Sequence, residues 1–297
     1  MYELIQLDAG AFYISAPTNI GLCRLGGGIA CLIDSGIDKH VGRRALRILD
    51  GLGLRLECVV HTHCHADHAG ATAFLIEKTG CRAYATGAEG AYARYEHMGL
   101  GIICGGFPNK NMDDKFFKYP PFVSADAYGG LPGGLELMRL PGHALDMIGV
   151  RTPGGALFVG DAVLSPDIVE KHRIAFLFDI KRYLETLDRL ERTDAEVFIP
   201  SHGRHVRDIR ALTEPNRTWA YRVMDAVLAA CREPKTFDEA ICSVFAALDV
   251  QMTYSQYFLA GCTVRSYISY LFNEGRMECA AGGNGSGDKN KFLWRTI

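Results

Sequence analysis

The chain lacks the features that mark most specialised classes of protein. No apolar run approaches the roughly 20 residues that a membrane-spanning helix needs. The opening "MYELIQLDAG" has no charged segment followed by an apolar core, so no signal peptide is expected. Its ten cysteines fall singly, without a C-x-x-C pair or a ladder of regular spacings, and read as small core residues in a reducing cytoplasm. Charge of either sign is not in excess: the formal net charge is -2, which gives no general attraction to nucleic acid or anionic membrane. Internal repeats are absent. So are a G-x-S-x-G elbow and a G-x-x-x-x-G-K phosphate loop, which excludes a serine nucleophile or a nucleotide site of those types.

What is present is ordinary for a globular enzyme: 297 residues, 48% hydrophobic and 22% charged. That length suits one large domain with a small one attached. Apolar runs at Tyr2–Leu7, Ala11–Ala16, Ile20–Leu25 and Ile29–Ile33, separated by turn residues, predict strands. A helix is expected over Lys39–Leu52, then a strand over Leu56–His61, a helix over His68–Lys78, a strand over Arg82–Thr86 and a helix over Glu89–Met98. Gly99–Gly134 is rich in Gly, Pro and aromatics and has no period, so it reads as a functional lid or as an excursion covering a sheet edge. Strands are expected again at Leu135–Leu140, Met147–Thr152, Ala156–Val159 and Glu196–Ile199, with a helix over Lys181–Leu190. Beyond Thr213 the texture turns helical, at Arg217–Cys231, Phe237–Leu248 and Tyr254–Asn273, and closes on two short strands around a glycine loop. This divides the chain into 1–212 and a winged-helix-like appendage, 213–297.

Chemistry concentrates in "VVHTHCHADHAG", where His61, His63, His65 and His68 fall within eight residues at the end of an expected strand. His63, His65, Asp67 and His68 sit at a strand-to-helix corner that can turn several side chains toward one point. Neutral imidazole nitrogen and carboxylate oxygen suit a borderline cation such as zinc. The spacing is not that of the helical H-E-x-x-H arrangement. His143 in "LPGHALD", Asp161 in "FVGDAVL" and His202 in "IPSHGRH" follow, each where a strand runs into a loop. Seven such ligands are enough for two metals that share a bridging carboxylate. His61 reads as a packing residue in preference to one that supports a ligand from behind, and Cys64 reads as a neighbour of the site. His205 reads either as a proton donor or as a solvent-facing residue. His40, His97 and His172 get no functional assignment.

"THCHADHAG", "PGH", "GD" and "SHG" in that order, preceded by "LIDSG" at Asp34, resemble the metallo-β-lactamase-fold hydrolase superfamily over about residues 1–210. The resemblance implies an α/β (α+β) fold, a four-layer αββα sandwich with metals at one edge of the sheets. It implies that His63, His65 and His143 hold a first metal, that Asp67, His68 and His202 hold a second, and that Asp161 bridges them. Asp34 and Thr62 are expected to orient the ligand imidazoles from behind. "GHALDMIGV", with Asp146 three residues after His143, resembles a lactamase-like subgroup with a C-terminal winged-helix-like extension, some of whose members cleave RNA or thioesters.

Two divalent ions, zinc first and iron or manganese next, would supply a hydroxide nucleophile and polarise the bond under attack, with Asp67 orienting the hydroxide and taking its proton. The expected reaction is hydrolysis of an ester, thioester or lactone of a small molecule. Phe107, Phe116, Phe117, Tyr119 and Phe122 of the Gly99–Gly134 stretch would then wall the site. The alternative is a metal-dependent ribonuclease or phosphodiesterase that grips nucleic acid with its tail. Residues 213–297 carry nine Lys+Arg against nine Asp+Glu, and phosphate binding wants a positive excess, so the small-molecule reading is preferred. A regulator with a vestigial site is the third reading, and the intact ligand set argues against it. The tail carries more apolar and aromatic residues than a unit of its size can hide, which predicts packing on the catalytic part or a homodimer.

Overall fold

The computed structural model describes residues 2–112, 114–281 and 291–297. Strands β1 (Glu3–Gln6), β2 (Ala11–Ser15), β3 (Ile20–Gly26), β4 (Ile29–Ile33), β5 (Arg55–Val60), β6 (Arg82–Ala85) and β7 (Ala125–Asp126) form a seven-stranded sheet in that order. The first four are an antiparallel meander, and β4 through β7 pair in parallel. Parallel neighbours need crossover connections, which helices supply. They are α1 (Lys39–Gly51), the pair α2 (Ala66–Ala69) and α3 (Thr72–Thr79), then α4 (Gly87–Arg94) and α5 (Met98–Cys104). Strands β8 (Glu136–Arg139), β9 (Ile148–Arg151), β10 (Ala156–Gly160) and β11 (Val197–Pro200) form a second sheet. There β10 and β11 are parallel across α6 (Pro166–His172) and α7 (Ile180–Glu191).

The four expected layers are present. Tyr13, Ile33 and Val60 of the first sheet meet Val150, Phe158 and Ile199 of the second in one buried cluster. The outer face of the first sheet packs Leu22 and Leu32 against Val41, Ala45 and Leu49 of α1 and Leu75 of α3. Asp38 caps α1 by accepting the N–H groups of His40 and Val41. The helix expected over His68–Lys78 is split at Gly70, where a Cβ would lie 2.0 Å from the Ile37 carbonyl oxygen, so the chain can pass there only as glycine.

The Gly99–Gly134 stretch is partly regular. It holds most of α5, and β7 covers the edge of β6. The seven-residue helix α6 carried no sequence expectation; it is too short to show a period, and Pro166 occupies its first turn. Helix α8 spans Arg210–Ala230 and so begins earlier than the expected Arg217, running through Pro215. The buried side chains of Leu212 and Asn216 hold the turn around Pro215 helical, and tertiary packing overrides the local breaker. After Ala230 come α9 (Phe237–Ala247), α10 (Tyr254–Asn273) and the antiparallel pair β12 (Met277–Ala281) and β13 (Phe292–Thr296). The glycine loop expected between these two strands lies outside the described residues.

The 212/213 position thus falls inside α8. One cluster runs from Leu157 and Val159 of the second sheet through Leu187 of α7 to Val223, Ile241 and Ile268 of the three C-terminal helices. Asn216 is the polar pivot of that contact. Its Nδ2 donates to the Leu164 and Leu212 carbonyls at 2.7 and 2.8 Å. Its Oδ1 accepts from the Leu164 N–H at 3.1 Å and the Tyr183 hydroxyl at 2.8 Å. Among the described residues no helix is long and apolar enough to cross a membrane.

Asn216→Ala leaves several fully buried groups without partners and should lower the free energy of unfolding by about 2–4 kcal/mol. Denaturant titration reads this directly, and a loss below about 0.5 kcal/mol, the range of neutral surface changes, would remove Asn216 from that role.

Candidate metal centre

Every candidate ligand sits where a strand of one of the two facing sheets begins or ends. β5 delivers the corner from His61 to His68, β10 ends at Gly160 before Asp161, and β11 ends at Pro200 before His202. His143 lies between β8 and β9. At Gly160 the backbone takes φ +58°, and a Cβ would press on Thr62 at 3.0 Å, so glycine here sets the approach of Asp161 to the β5 corner.

The structure brings all seven residues together. His63, His65 and His143 offer ligand atoms within 4.8 Å of one another; so do His63, His68 and Asp161, and so do Asp67, His68 and His202. Asp161 Oδ2 is central, 3.5 Å from His68 Nε2, 3.6 Å from His143 Nε2 and 3.5 Å from His202 Nε2. Asp67 Oδ2 lies 3.2 Å from His202 Nε2 and 3.5 Å from His68 Nε2. His65 turns Nδ1 toward His143 Nε2 at 3.0 Å.

The far side of each ring explains why these atoms point inward. His68 Nδ1–H donates to Asp34 Oδ2 at 2.9 Å, and His143 Nδ1–H to the Phe176 carbonyl at 3.0 Å. His202 Nδ1–H donates to the Pro17 carbonyl at 2.7 Å, and His63 Nδ1–H to Thr62 Oγ1 at 3.1 Å. Each bond fixes the ring with Nε2 turned toward the cluster, where a neutral imidazole carries the lone pair a metal needs. Asp34 also accepts the Thr62 N–H at 2.9 Å and the Thr62 hydroxyl at 2.8 Å. Asp34 and Thr62 therefore stand behind the ring nitrogens of His68 and His63.

Charge makes the same point. Burial, then the neighbouring imidazoles, holds His63 well below the usual histidine range, and burial carries His65 down to about 3. Burial also lowers His143. Burial acts on His68 and His202 too, but the surrounding carboxylates outweigh it, raising His68 well above the ordinary value and His202 to about 10. Burial opposes ionisation of Asp67 and Asp161, yet the cationic His68 and His202 hold both carboxyls below the usual range. The buried His63 Nε2, His68 Nε2 and Asp161 Oδ1 have no hydrogen-bond partner, an expensive arrangement that divalent ions would relieve. The donor set fits divalent metal.

Several participants carried no sequence signal. Thr18 Oγ1–H donates to Asp67 Oδ2 at 2.8 Å across 49 residues of chain. Glu89, almost fully buried, accepts the Cys64 N–H at 2.9 Å and the Asp146 N–H at 3.3 Å, tying the β5 corner to the loop after His143. Thr263 of α10 accepts the Leu177 N–H at 3.0 Å and donates to the Ala175 carbonyl at 3.2 Å, so it brackets Phe176. These are contacts of tertiary structure, and no local motif encodes them.

Other residues fall away from the cluster. His205 is exposed, with Nδ1 against the Tyr13 hydroxyl at 3.1 Å, and does not border the cavity described below. His61 packs on Phe122, with ring centroids 5.3 Å apart, and also lies 3.6 Å from Asp34 Oδ1. Cys64 is buried beside the cluster and belongs to none of the ligand groups.

The ligand atoms open into a cavity of about 630 Å³ that His65, Asp67, His143, Asp161 and His202 border. Phe116, Phe117 and Tyr119 line it as expected of the aromatic stretch. Phe107 does not; it is 83% exposed and meets His97 edge-on. Phe122 is buried behind Tyr119 instead. His172, with no expected role, borders the cavity.

Burial raises the Glu89 carboxyl from 4.5 to about 7 against the pull of its two N–H donors. The folded chain therefore binds this proton more tightly than the unfolded chain. Its contribution to stability is complete below about pH 4.5 and is lost as pH rises through about 7. In chelator-treated protein, stability relative to Glu89→Gln should fall by about 3 kcal/mol over that window. Denaturant unfolding at both ends of the window checks this, and a difference that does not change with pH would contradict it.

Residues 16–202 match the family model of the metallo-beta-lactamase superfamily. No curated protein matches the chain. Among solved structures, a metallo-beta-lactamase family protein from Thermus thermophilus is 22% identical with a TM-score of 0.70, covering 98% of this chain and 100% of its own. A beta-lactamase domain protein from Burkholderia ambifaria is 20% identical with a TM-score of 0.71, covering 99% and 95%. A metallo-beta-lactamase from Pontibacter korlensis is 19% identical with a TM-score of 0.51, and covers 74% of this chain and 98% of its own. The family match takes in well over half of the sequence and ends on His202, the last residue of the cluster; the chain belongs to the metallo-beta-lactamase superfamily, a family of metal-dependent hydrolases.

Proposed function

We propose that the chain hydrolyses an ester, thioester or lactone of a small molecule at a dinuclear centre, most simply of zinc. His63, His65 and His143 would hold one ion and Asp67, His68 and His202 the other, with Asp161 available to both. The observation that carries the reading is the convergence of three overlapping ligand groups on one wall of an apolar cavity. Two divalent ions, when bound, supply an activated water and a Lewis acid for the carbonyl. The protein residues do the rest. Phe176 and Pro17 carbonyls and the Asp34 carboxylate fix the imidazoles, so the ligands need no reorganisation. Asp67 is held ionised, oriented by Thr18, and borders the cavity, where it can accept the proton of the attacking water.

Against nucleic acid stands the wall of the cavity, which offers few free cations. Of the two lysines bordering it, Lys115 is paired with Asp38 at 3.1 Å, leaving Lys171. Tracking a phosphate backbone calls for a positive groove.

Asp67→Ala should lower turnover by about 10²–10⁴-fold, the usual contribution of a positioned acid or base, with the thermal unfolding midpoint of the metal-free protein little changed. Elemental analysis of metal-replete wild type should find two ions per chain. Less than one ion per chain, or near wild-type turnover in the variant, would refute the site.

Two chains pair through the C-terminal helices, where Tyr221, Tyr254 and Phe272 are exposed. Sedimentation at micromolar concentration should show two chains. A monomer that binds RNA tightly, with affinity falling steeply in salt, would favour the ribonuclease reading instead.

A further inference from the structure

The cavity bordering the ligand cluster is far larger than a scissile carbonyl needs, and segments remote in sequence contribute to its walls. Ile102 of α5 and Phe117 border it, as do Phe176 and Phe178, which follow α6. Leu259 of α10 is the contribution of the C-terminal helices. The Phe176 ring lies 5.4 Å from that of His65 and 5.7 Å from that of His143, so apolar surface begins at the ligands themselves.

Much of the polar lining is already engaged. The Tyr119 hydroxyl donates to the Cys64 carbonyl at 2.7 Å, and the Thr18 hydroxyl to Asp67. Lys115 is held by Asp38, and Glu96 lies 3.7 Å from Lys118. Such walls reward substrate atoms chiefly by removing apolar surface from water, which grows with each methylene buried. The chemistry at the ligand cluster is blind to what lies several bonds away. Discrimination among substrates therefore falls to the walls.

We infer that the cavity receives the acyl portion of the substrate, and that this portion is a long or bulky apolar group on the order of ten carbons, the size that cavities of this volume enclose. This rests on the hydrolase reading and adds the substrate class. Ile102, Phe117, Phe178 and Leu259 set the length preference, and α10 makes the C-terminal helices part of the specificity site.

The test uses the full-length, zinc-loaded protein and a series of p-nitrophenyl esters and acyl thioesters from two to sixteen carbons. The specificity constant kcat/KM should climb by up to about fourfold per added methylene and then level off or fall once the cavity is full. Leu259→Trp should move the optimum to shorter chains. In parallel, calorimetry on chelator-treated protein with linear fatty acids of the same lengths reads binding without turnover, and affinity should rise along the series. Hydrolysis with a flat or falling length profile would overturn the inference and leave the hydrolase reading standing. Hydrolysis of no member of the series would overturn the hydrolase reading for this substrate class. The fatty-acid series then decides the apolar pocket alone, and length-independent or absent binding would overturn it as well.

Discussion

Asp34 buries a carboxylate at the end of β4, and its compensation comes from imidazoles and from N–H and O–H donors. A buried carboxylate is tolerable only when hydrogen-bonded and close to positive charge. Asp34 meets that condition by seizing His68 Nδ1–H and both donors of Thr62. Thr62 in turn accepts from His63. One carboxylate therefore orients a ligand from each of two groups, and the lone pairs that remain must face Asp67 and Asp161. Two carboxylates, Asp67 and Asp161, face these nitrogens, and a divalent ion among them would supply the positive charge they call for.

The αββα arrangement makes this constellation possible. Ligands come from strand ends of both sheets, so their separation is set by how closely the sheets pack. Gly21 shows how tight that packing is: a Cβ there would meet Phe158 at 2.7 Å and Ile33 at 2.8 Å. A rigid sheet edge holds imidazoles to the tolerance a metal site demands, and loops alone would not.

The C-terminal helices share the core of the second sheet and reach the site by a short path. Thr263 brackets Phe176, whose carbonyl fixes His143 and whose ring borders the cavity. Trp219 adds a bond from its indole N–H to the Arg173 carbonyl at 2.6 Å, at the start of the same segment. The surplus of apolar residues in these helices is largely spent inside the chain, at Val223, Ile241, Val264 and Ile268.

The sequence by itself determined the strands of both sheets apart from β7 and marked the seven residues that the fold gathers. Strand runs and their turns are local, and His63, His65, Asp67, His68, His143, Asp161 and His202 each sit in a short motif beside a strand. Tertiary structure alone decided what local pattern cannot carry. The helix expected from Arg217 begins at Arg210 and runs through Pro215, because burial of Leu212 and Asn216 outweighs a single lost backbone bond. The aromatic stretch announced a wall, but only the fold separated Phe116 and Phe117, which line the cavity, from Phe107, which faces solvent. Thr18, Glu89 and Thr263 bond to partners 49, 25 and 86 residues away. Hydrogen bonds over such separations leave no periodicity or spacing in the chain, since what brings their partners together is the packing of sheets and helices between them.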